Sequence, residues 1–271
     1  MNKLRKYPLA TFFFFVFLLP WLVWATTIAQ QHSVISWHIP QTLAFWLGIT
    51  IAVYVAAFFS GGKRAVKDLL SRIVRVKVQF KWYVIALFIV PAIAVVTMGV
   101  YKLFGGELVV GKDISTASLP FVFLIELWLF LITEETAWRG FALPRLQYKY
   151  TPLKASLILG MLWALWHIPL FLIADSFQSS IPYVGFFIST IATTVTMTWL
   201  FNNTRGSVFL AAIFHASTDV AIGYLGVMSG SRGLFWLFVA LQVLVAALIA
   251  SNTRFKQPVI NNPELVFNIE A

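Results

Sequence analysis

Long, uninterrupted runs of apolar side chains constrain this chain more than any other feature. Eight such runs cover residues 8–28, 42–60, 82–104, 118–143, 153–174, 183–201, 207–227 and 233–250. An α-helix needs about 20 apolar residues to cross the hydrocarbon core of a bilayer, and these runs are close to that length. The runs are continuous rather than alternating, which favours helices over barrel strands. We therefore predict an all-α, polytopic transmembrane bundle of about eight helices.

The composition supports a membrane protein. Apolar residues make up 60% of the 271 residues and charged residues 11%, whereas soluble domains carry about 45–50% and about 25%. A globule of this size has too little interior to remove so much apolar surface from water. The chain has no cysteine, which excludes disulfides and thiolate chemistry. No internal repeat interrupts the pattern, so we predict a single membrane domain over residues 1–271 with a polar cytoplasmic tail at 251–271.

The basic residues predict how the chain lies in the membrane. Of its 20 Lys and Arg residues, Lys102, Lys112 and Arg232 fall on one side of the bundle. Another 16 fall on the opposite side, which includes the segment before the first span, and Arg139 lies within the fourth span. The positive-inside rule places the more basic side and both termini in the cytoplasm. The absence of organelle signals favours a prokaryotic plasma membrane. Residues 8–28 are predicted to be a retained first helix, with a cleaved signal peptide as the alternative.

The net charge of +10 is distributed between the apolar spans, where it would meet anionic lipid headgroups rather than nucleic acid. Residues 61–81 alternate basic and apolar side chains, as in Arg72-Ile73-Val74-Arg75-Val76-Lys77. This segment is interpreted either as a solvated loop that sets topology or as a segment lying along the inner leaflet. Membrane lipids are thus predicted partners, and nucleic acid is not.

Several ionisable side chains lie deep inside the predicted spans. They are Glu126, Glu134, Glu135, Arg139, His167, His215 and Asp219. Each such charge costs about 2.5–3.5 kcal/mol at mid-membrane on insertion scales, so charges at this depth indicate function. At a rise of 1.5 Å per residue, Glu134, His167 and His215 lie roughly 24, 21 and 14 Å from the cytoplasmic ends of their helices. Three spans can therefore bring these groups into one layer of the membrane.

Three pairs of residues are spaced four apart on their helices: Glu135 with Arg139, Trp163 with His167, and His215 with Asp219. Residues at this spacing share a helix face, so Glu135 and Arg139 can form an ion pair. The second pair would set an aromatic wall beside an imidazole. In the third pair, the carboxylate can orient the imidazole and select its tautomer.

These residue types together predict a hydrolase that activates water without a nucleophilic side chain. Glu134, desolvated beside His167, can take a proton from water. His215 can then donate a hydrogen bond to the developing oxyanion. Each residue also has a purely structural interpretation: an ion pair, a helix–helix hydrogen bond, or core packing for Trp163. Glu126 is assigned no role. The conjunction of these groups on three helices favours catalysis.

Three motifs occur in a characteristic order: Glu134-Glu135-Thr136-Ala137-Trp138-Arg139, Trp163-Ala164-Leu165-Trp166-His167 and His215-Ala216-Ser217-Thr218-Asp219. In that order they resemble the motifs of the CAAX protease and bacteriocin-processing (CPBP, or Abi) family of intramembrane glutamic endopeptidases. The resemblance covers residues 118–225, which are expected to form the catalytic core. It implies an eight-helix fold and peptide-bond hydrolysis without a metal or other cofactor.

The resemblance also implies roles for individual residues. Glu134 corresponds to the general base and His167 to a residue that helps to hold it, while Glu135 and Arg139 support them. His215 and the residue four later correspond to an oxyanion-stabilising pair. The sequence departs from the family pattern at two positions. Trp163 stands where Phe is usual, and Asp219 stands where Asn is common. An ionised Asp cannot donate a hydrogen bond, so Asp219 either orients His215 or is protonated.

Other functions compete with this hypothesis. The sequence has no His-Glu-x-x-His motif, which supplies the ligands in many zinc proteases, and the positive charge of Arg139 would repel a divalent cation. A proton-coupled transporter could use the same ionisable groups as a relay, although such proteins often show repeated halves. A noncatalytic scaffold or immunity protein could retain the site. The predicted substrate is a peptide or protein, of which a CAAX-type prenylated tail is one option, and the oligomeric state is not indicated.

Overall fold

A computed structural model describes residues 7–108 and 115–252, so nearly all of the predicted tail lies outside the described residues. Within these ranges the chain forms helices and no strands. The α-helices are α1 Pro8–Gln31, α2 Thr50–Ile73, α3 Phe80–Leu103, α4 Leu119–Ile132, α5 Leu143–Lys149, α6 Pro152–Trp166, α7 Ile168–Phe171, α8 Tyr183–Asn203, α9 Val208–Leu225 and α10 Arg232–Asn252. Two π-helical stretches, Ala44–Ile49 and Thr136–Ala142, lead into α2 and α5.

Seven helical segments of the described chain are long and apolar enough to cross a membrane. The prediction of a polytopic helical bundle is thus confirmed. The predicted span at 153–174 differs, because its helix α6 has only 15 residues and is followed by the four-residue α7. Pro169 provides the physical reason, since its ring clashes with the carbonyl four residues earlier and it has no N–H to donate. The helix therefore ends at Trp166, and His167 lies at the junction.

The fourth apolar run is also less regular than predicted. Helix α4 ends at Ile132, and the backbone angles of the next residue, Thr133 (φ −111°, ψ −93°), leave the helical region. The π-helical stretch Thr136–Ala142 follows. The hydroxyls of Thr133 and Thr136 donate to the carbonyls of Leu129 and Leu131 at 2.7 and 2.6 Å. Nearby hydroxyls that satisfy freed backbone groups allow such a break at membrane depth. Glu134 and Glu135 follow the break directly.

The second run continues beyond its predicted end at residue 60. Helix α2 is interrupted at Gly61 and Gly62 and then extends to Ile73. Gly62 has a φ of +59°, a conformation that glycine adopts without steric cost. After the break, Leu69 and Arg72 are buried while Lys63 and Lys67 are exposed. Most of the basic segment at 61–81 is therefore an amphipathic helical extension rather than a loop.

Helix α9 lies inside the bundle, packed against α3, α4 and α8. Helix α6 packs closely on α8, and Gly160 lies at their closest approach. A Cβ atom at Gly160 would lie 2.9 Å from the Cα of Ile191 and 3.2 Å from the Cβ of Thr194. The absence of a side chain at this position lets α6 bring Trp163 and His167 towards the centre of the bundle.

We expect Gly160→Ala to destabilise the protein, because the added methyl group meets backbone that cannot move aside. Overpacking of this kind costs about 1–3 kcal/mol. The matched control is Gly99→Ala in α3, where a Cβ would meet nothing within 4 Å and where replacing glycine should be neutral or stabilising. Thermal unfolding in detergent micelles measures both. Equal melting temperatures for the two variants would contradict the close α6–α8 contact.

Candidate active site

The centre of the site is the carboxylate of Glu135, just after the break in the fourth run. Its Oε1 atom accepts a hydrogen bond from Nη1 of Arg139 at 3.0 Å and another from Nδ1 of His215 at 2.8 Å. The side chains of Glu135 and Arg139 are fully buried. The predicted Glu135–Arg139 pair is therefore present, and the carboxylate also bonds to a histidine 80 residues away in α9. The second bond could not be read from spacing along one helix.

Trp163 of α6 contacts both sides of this centre. The guanidinium carbon of Arg139 lies 4.2 Å from the centroid of the indole ring, a favourable cation–π arrangement. The indole Nε1 donates a hydrogen bond to Oε2 of Glu134 at 2.8 Å. The sequence predicted Trp163 as an aromatic wall and did not predict this bond. The indole N–H itself was the available signal, because a buried tryptophan usually finds an acceptor.

Glu134 is buried, with only 2% of its surface exposed. It accepts a hydrogen bond from Trp163, and its ionisable neighbours include His215, Glu135, Asp219 and Arg139. The expectation that Glu134 lies directly beside His167 is not matched by a hydrogen bond among the described residues. Trp163 connects the two residues, because its indole N–H donates to Glu134 and its backbone carbonyl accepts from His167.

His167 is held by the backbone at the end of α6. Its Nδ1 donates to the carbonyl oxygen of Trp163 at 2.7 Å, since a carbonyl can only accept. A neutral ring with its proton on Nδ1 has an unprotonated Nε2 that can accept a hydrogen bond. Trp166 and Phe186 pack edge-on against the ring, with centroids 4.9 and 5.1 Å away. His167 is thus fixed in orientation with one acceptor nitrogen.

His215 is fixed on three sides. The ring of Phe130 stacks on it at 3.7 Å with an interplanar angle of 6°, and Trp163 meets it edge-on at 5.2 Å. Glu135 occupies Nδ1, so Nε2 is the nitrogen on the side of Asp219. The distance from Nε2 to Oδ1 of Asp219 is 3.9 Å, too long for a hydrogen bond. His215 is therefore hydrogen-bonded to Glu135, and the Asp219 carboxyl lies near Nε2 without a hydrogen bond. The orienting role of Asp219 stays a prediction.

A cavity of about 300 Å³ opens beside these groups. Trp163, His167, His215, Asp219 and Glu126 line its polar part. Its other lining residues include Phe177, Phe186, Ile222 and Met228. Glu134 is not among the lining residues and is connected to the cavity through Trp163. Glu126, which sequence reasoning left without a role, is therefore part of the same cavity as Asp219.

Histidines and carboxylates close together raise the question of a metal site. Among residues 7–108 and 115–252, no three His, Asp or Glu side chains are arranged to hold a metal ion. The one oxygen shared by two partners, Oε1 of Glu135, bonds to Arg139 and His215.

The fold and the site define a class: a polytopic helical membrane protein whose buried carboxylates and imidazoles adjoin a cavity. A family model described as type II CAAX prenyl endopeptidase Rce1-like matches residues 116–221. The protein named CAAX prenyl protease 2 from Methanococcus maripaludis is 30% identical over 228 residues, covering 78% of this chain and 82% of that relative. The chain belongs to the CAAX protease family, and the expected resemblance is confirmed. It is accordingly a membrane-embedded protease.

We expect Arg139→Met to destabilise the fold strongly, because among the described residues it leaves the buried Glu135 carboxylate with a hydrogen bond to His215 alone. Breaking one side of a buried ion pair costs about 3–5 kcal/mol. The control is Asp68→Asn, which breaks the pair between the partly exposed Asp68 and the buried Arg72 on α2. It should cost less than Arg139→Met, because water reaches the Asp68 side of the pair and weakens its attraction. Equilibrium unfolding in mixed micelles measures both free energies. Similar losses would show that burial does not govern the Glu135–Arg139 pair.

Proposed function

We propose that this chain is a glutamic endopeptidase that hydrolyses a peptide bond in a membrane-associated substrate, with Glu134 as the general base. The observation that carries the proposal is the bond between Glu134 and the cavity-lining Trp163 at 2.8 Å, with two fixed imidazoles on the cavity wall. A buried carboxylate beside hydrogen-bonding groups is a usual general base for activating water. The catalytic core in this proposal is residues 118–225, close to the segment that the family model matches.

The proposed reaction begins with a water molecule between Glu134 and His167. The carboxylate of Glu134 takes a proton from this water, while Nε2 of His167 accepts a hydrogen bond from it and orients it. The resulting hydroxide attacks the carbonyl carbon of the scissile peptide. When the carbon–nitrogen bond breaks, Glu134 returns the proton to the leaving amine. The products are a new carboxyl end and a new amine, and Glu134 ends in its starting state.

His215 is assigned to the oxyanion of the tetrahedral intermediate. A carboxylate lies near each of its ring nitrogens, at 2.8 Å for Glu135 and 3.9 Å for Asp219. The ring can therefore carry both protons and donate from Nε2 into the cavity. A fixed donor aimed at a developing negative charge is a strong source of rate enhancement. Asp219 need not donate to the oxyanion in this scheme, which accounts for an Asp at this position.

The substrate class follows from the cavity and from the relative. Aromatic and aliphatic side chains of Phe177, Phe186, Ile222 and Met228 form the apolar part of the cavity wall. The relative's name, CAAX prenyl protease 2, describes action on prenylated proteins. We propose that this chain likewise cleaves a peptide bearing a lipid group near its C-terminus, with the lipid against the apolar wall. Burial of an apolar chain there stabilises the complex without any sequence motif.

The orientation is a proposal that rests on charge. The exposed Lys63, Arg64, Lys67 and Lys77 lie around the junction of α2 and α3. The positive-inside rule assigns this end of the bundle to the cytoplasm. Both termini would then be cytoplasmic.

We expect Glu134→Gln to abolish cleavage, because an amide cannot take a proton from water. Removing a general base costs about 10²–10⁴-fold in rate. The measurement is mass-spectrometric detection of product from two peptides that share one sequence, one prenylated and one not, with the purified protein in detergent. Glu107→Gln is the control, since Glu107 is an exposed glutamate in the loop after α3 and should retain full activity.

The outcomes of this experiment separate the two parts of the proposal. Cleavage that persists in Glu134→Gln would reject the catalytic role of Glu134. Equal cleavage of both peptides by the wild type would reject the lipid-modified substrate and leave the chemistry standing. A protein that cleaves neither peptide would match a scaffold or transporter instead.

We expect the cleavage rate to be unaffected by a strong chelator, because the proposed water is activated by Glu134 and His167 alone. The wild-type protein is dialysed against the chelator and then assayed with the prenylated peptide. A zinc protease of known activity, treated in parallel, serves as the control. Loss of activity that returns on adding zinc would support the metalloprotease alternative.

A further inference from the structure

A second concave region lies at the end of the bundle where α2 leads into α3 and α8 leads into α9. It is a surface groove of about 740 Å³, here called the basic groove. Its lining residues are Lys77, Val78, Gln79, Lys81, Trp82, Asn203, Thr204 and Arg205. None of these residues belongs to the cavity beside Glu134. The basic groove is therefore a separate feature that the peptidase proposal does not use.

The two segments that form the basic groove are joined by side chains that donate hydrogen bonds to backbone carbonyls of the other segment. Nη2 of Arg205 donates to the carbonyl of Lys77 at 2.5 Å, and Nη1 of Arg75 donates to the carbonyl of Arg205. The hydroxyl of Ser207 donates to the carbonyl of Arg75 at 2.6 Å. These three bonds join residues about 130 positions apart in the sequence. The groove is thus built by specific contacts, and its shape does not depend on a bound ligand.

The charges of the basic groove are all positive. Lys77, Lys81 and Arg205 are exposed, and no carboxylate is among the lining residues. Arg75 donates to the carbonyl of Arg205. Its pKa is lowered by burial and then by the charge of Arg72, while Asp68 raises it and Arg205 lowers it further. Like charges held this close repel each other, so an anion bound among them would stabilise the arrangement.

Trp82, the aromatic residue that lines the basic groove, indicates the groove's depth in the membrane. Trp82 lies in the first turn of α3 and packs edge-on against Trp199 of α8, with ring centroids 5.1 Å apart. The ammonium group of Lys81 lies 5.2 Å from the Trp82 ring. Tryptophan is enriched where a membrane span meets the headgroup layer. The groove therefore lies at headgroup level, beside the ends of two membrane-crossing helices.

We propose that the basic groove binds the phosphate headgroup of an anionic phospholipid. Lys77, Lys81 and Arg205 neutralise the phosphate, and the Trp82 indole packs against the glycerol and the upper part of an acyl chain. Basic pockets between helices at a membrane surface bind anionic headgroups by this combination. Basic residues that only set topology do not need a groove held by hydrogen bonds or an aromatic side chain on its wall. This groove has the hydrogen bonds of Arg75, Arg205 and Ser207 and the side chain of Trp82.

A free phosphate ion has the same headgroup chemistry, but the position of the groove favours a lipid. The cations lie at the ends of α3 and α8, and a phosphate held there as part of a lipid brings its acyl chains to the apolar surface of those helices. The proposal does not depend on the peptidase activity, so the two can fail separately.

The experiment uses the full chain in detergent and measures bound lipid by native mass spectrometry. Dioleoyl phosphatidylglycerol is titrated against dioleoyl phosphatidylcholine, which has the same acyl chains and no net charge. The test variant is Lys77→Gln with Lys81→Gln, which leaves the bracing Arg205 in place. The matched control is Lys63→Gln with Lys67→Gln, which removes two exposed lysines from α2 outside the groove.

We expect the wild type and the control to bind phosphatidylglycerol more tightly than phosphatidylcholine. The test variant should lose affinity for phosphatidylglycerol by about thirtyfold, from the loss of two lysines near a phosphate. A charge-conserving variant, Lys77→Arg with Lys81→Arg, should restore it. Thermal unfolding of each variant checks that the fold is intact.

Three results would overturn the proposal. The first is equal loss of binding in the control and the test variant, which would mean that general surface charge attracts the lipid. The second is no preference of the wild type for phosphatidylglycerol. The third is displacement of the lipid by a low millimolar concentration of inorganic phosphate, which would make the groove a site for the free ion.

Discussion

A single carboxylate oxygen, Oε1 of Glu135, accepts hydrogen bonds from both Arg139 and His215, and the arrangement of the core depends on it. Charges inside a bilayer persist only when they are paired, because desolvation costs several kcal/mol per ion. Here the pairing crosses from the fourth apolar run to α9. Arg139 in turn lies under the indole of Trp163 in α6. Three segments far apart in sequence are thus held at one point.

The proposed chemistry follows from that fixed point. With Trp163 held against Arg139, its indole N–H reaches Glu134, and its backbone carbonyl holds the ring of His167. With His215 held by Glu135 and stacked on Phe130, its second nitrogen is aimed at the cavity. The acidic and basic groups therefore divide into two sets. One set maintains the structure of the site, and the other set is available to water and substrate.

The same physical constraint acts differently at the end of the bundle. Near Lys77 and Arg205 the charges are exposed, so they need not be paired with carboxylates. Backbone carbonyls there accept bonds from Arg75 and Arg205 and join the α2–α3 segment to the α8–α9 segment. The buried charges of this protein lie in an enclosed site, whereas the exposed charges line an open groove.

The sequence by itself determined the membrane bundle, the family, and the pairing of Glu135 with Arg139, because hydropathy and helical spacing are local properties of the chain. It did not determine the break at Thr133, where no proline or glycine marks the change. Pro169 did mark the end of α6 in the sequence, although the predicted span ran past it to residue 174. The tertiary structure alone decided that Glu135 hydrogen-bonds to His215 and that Trp163 donates to Glu134. These contacts join separate helices, and their geometry depends on how closely α6, α9 and the fourth run pack.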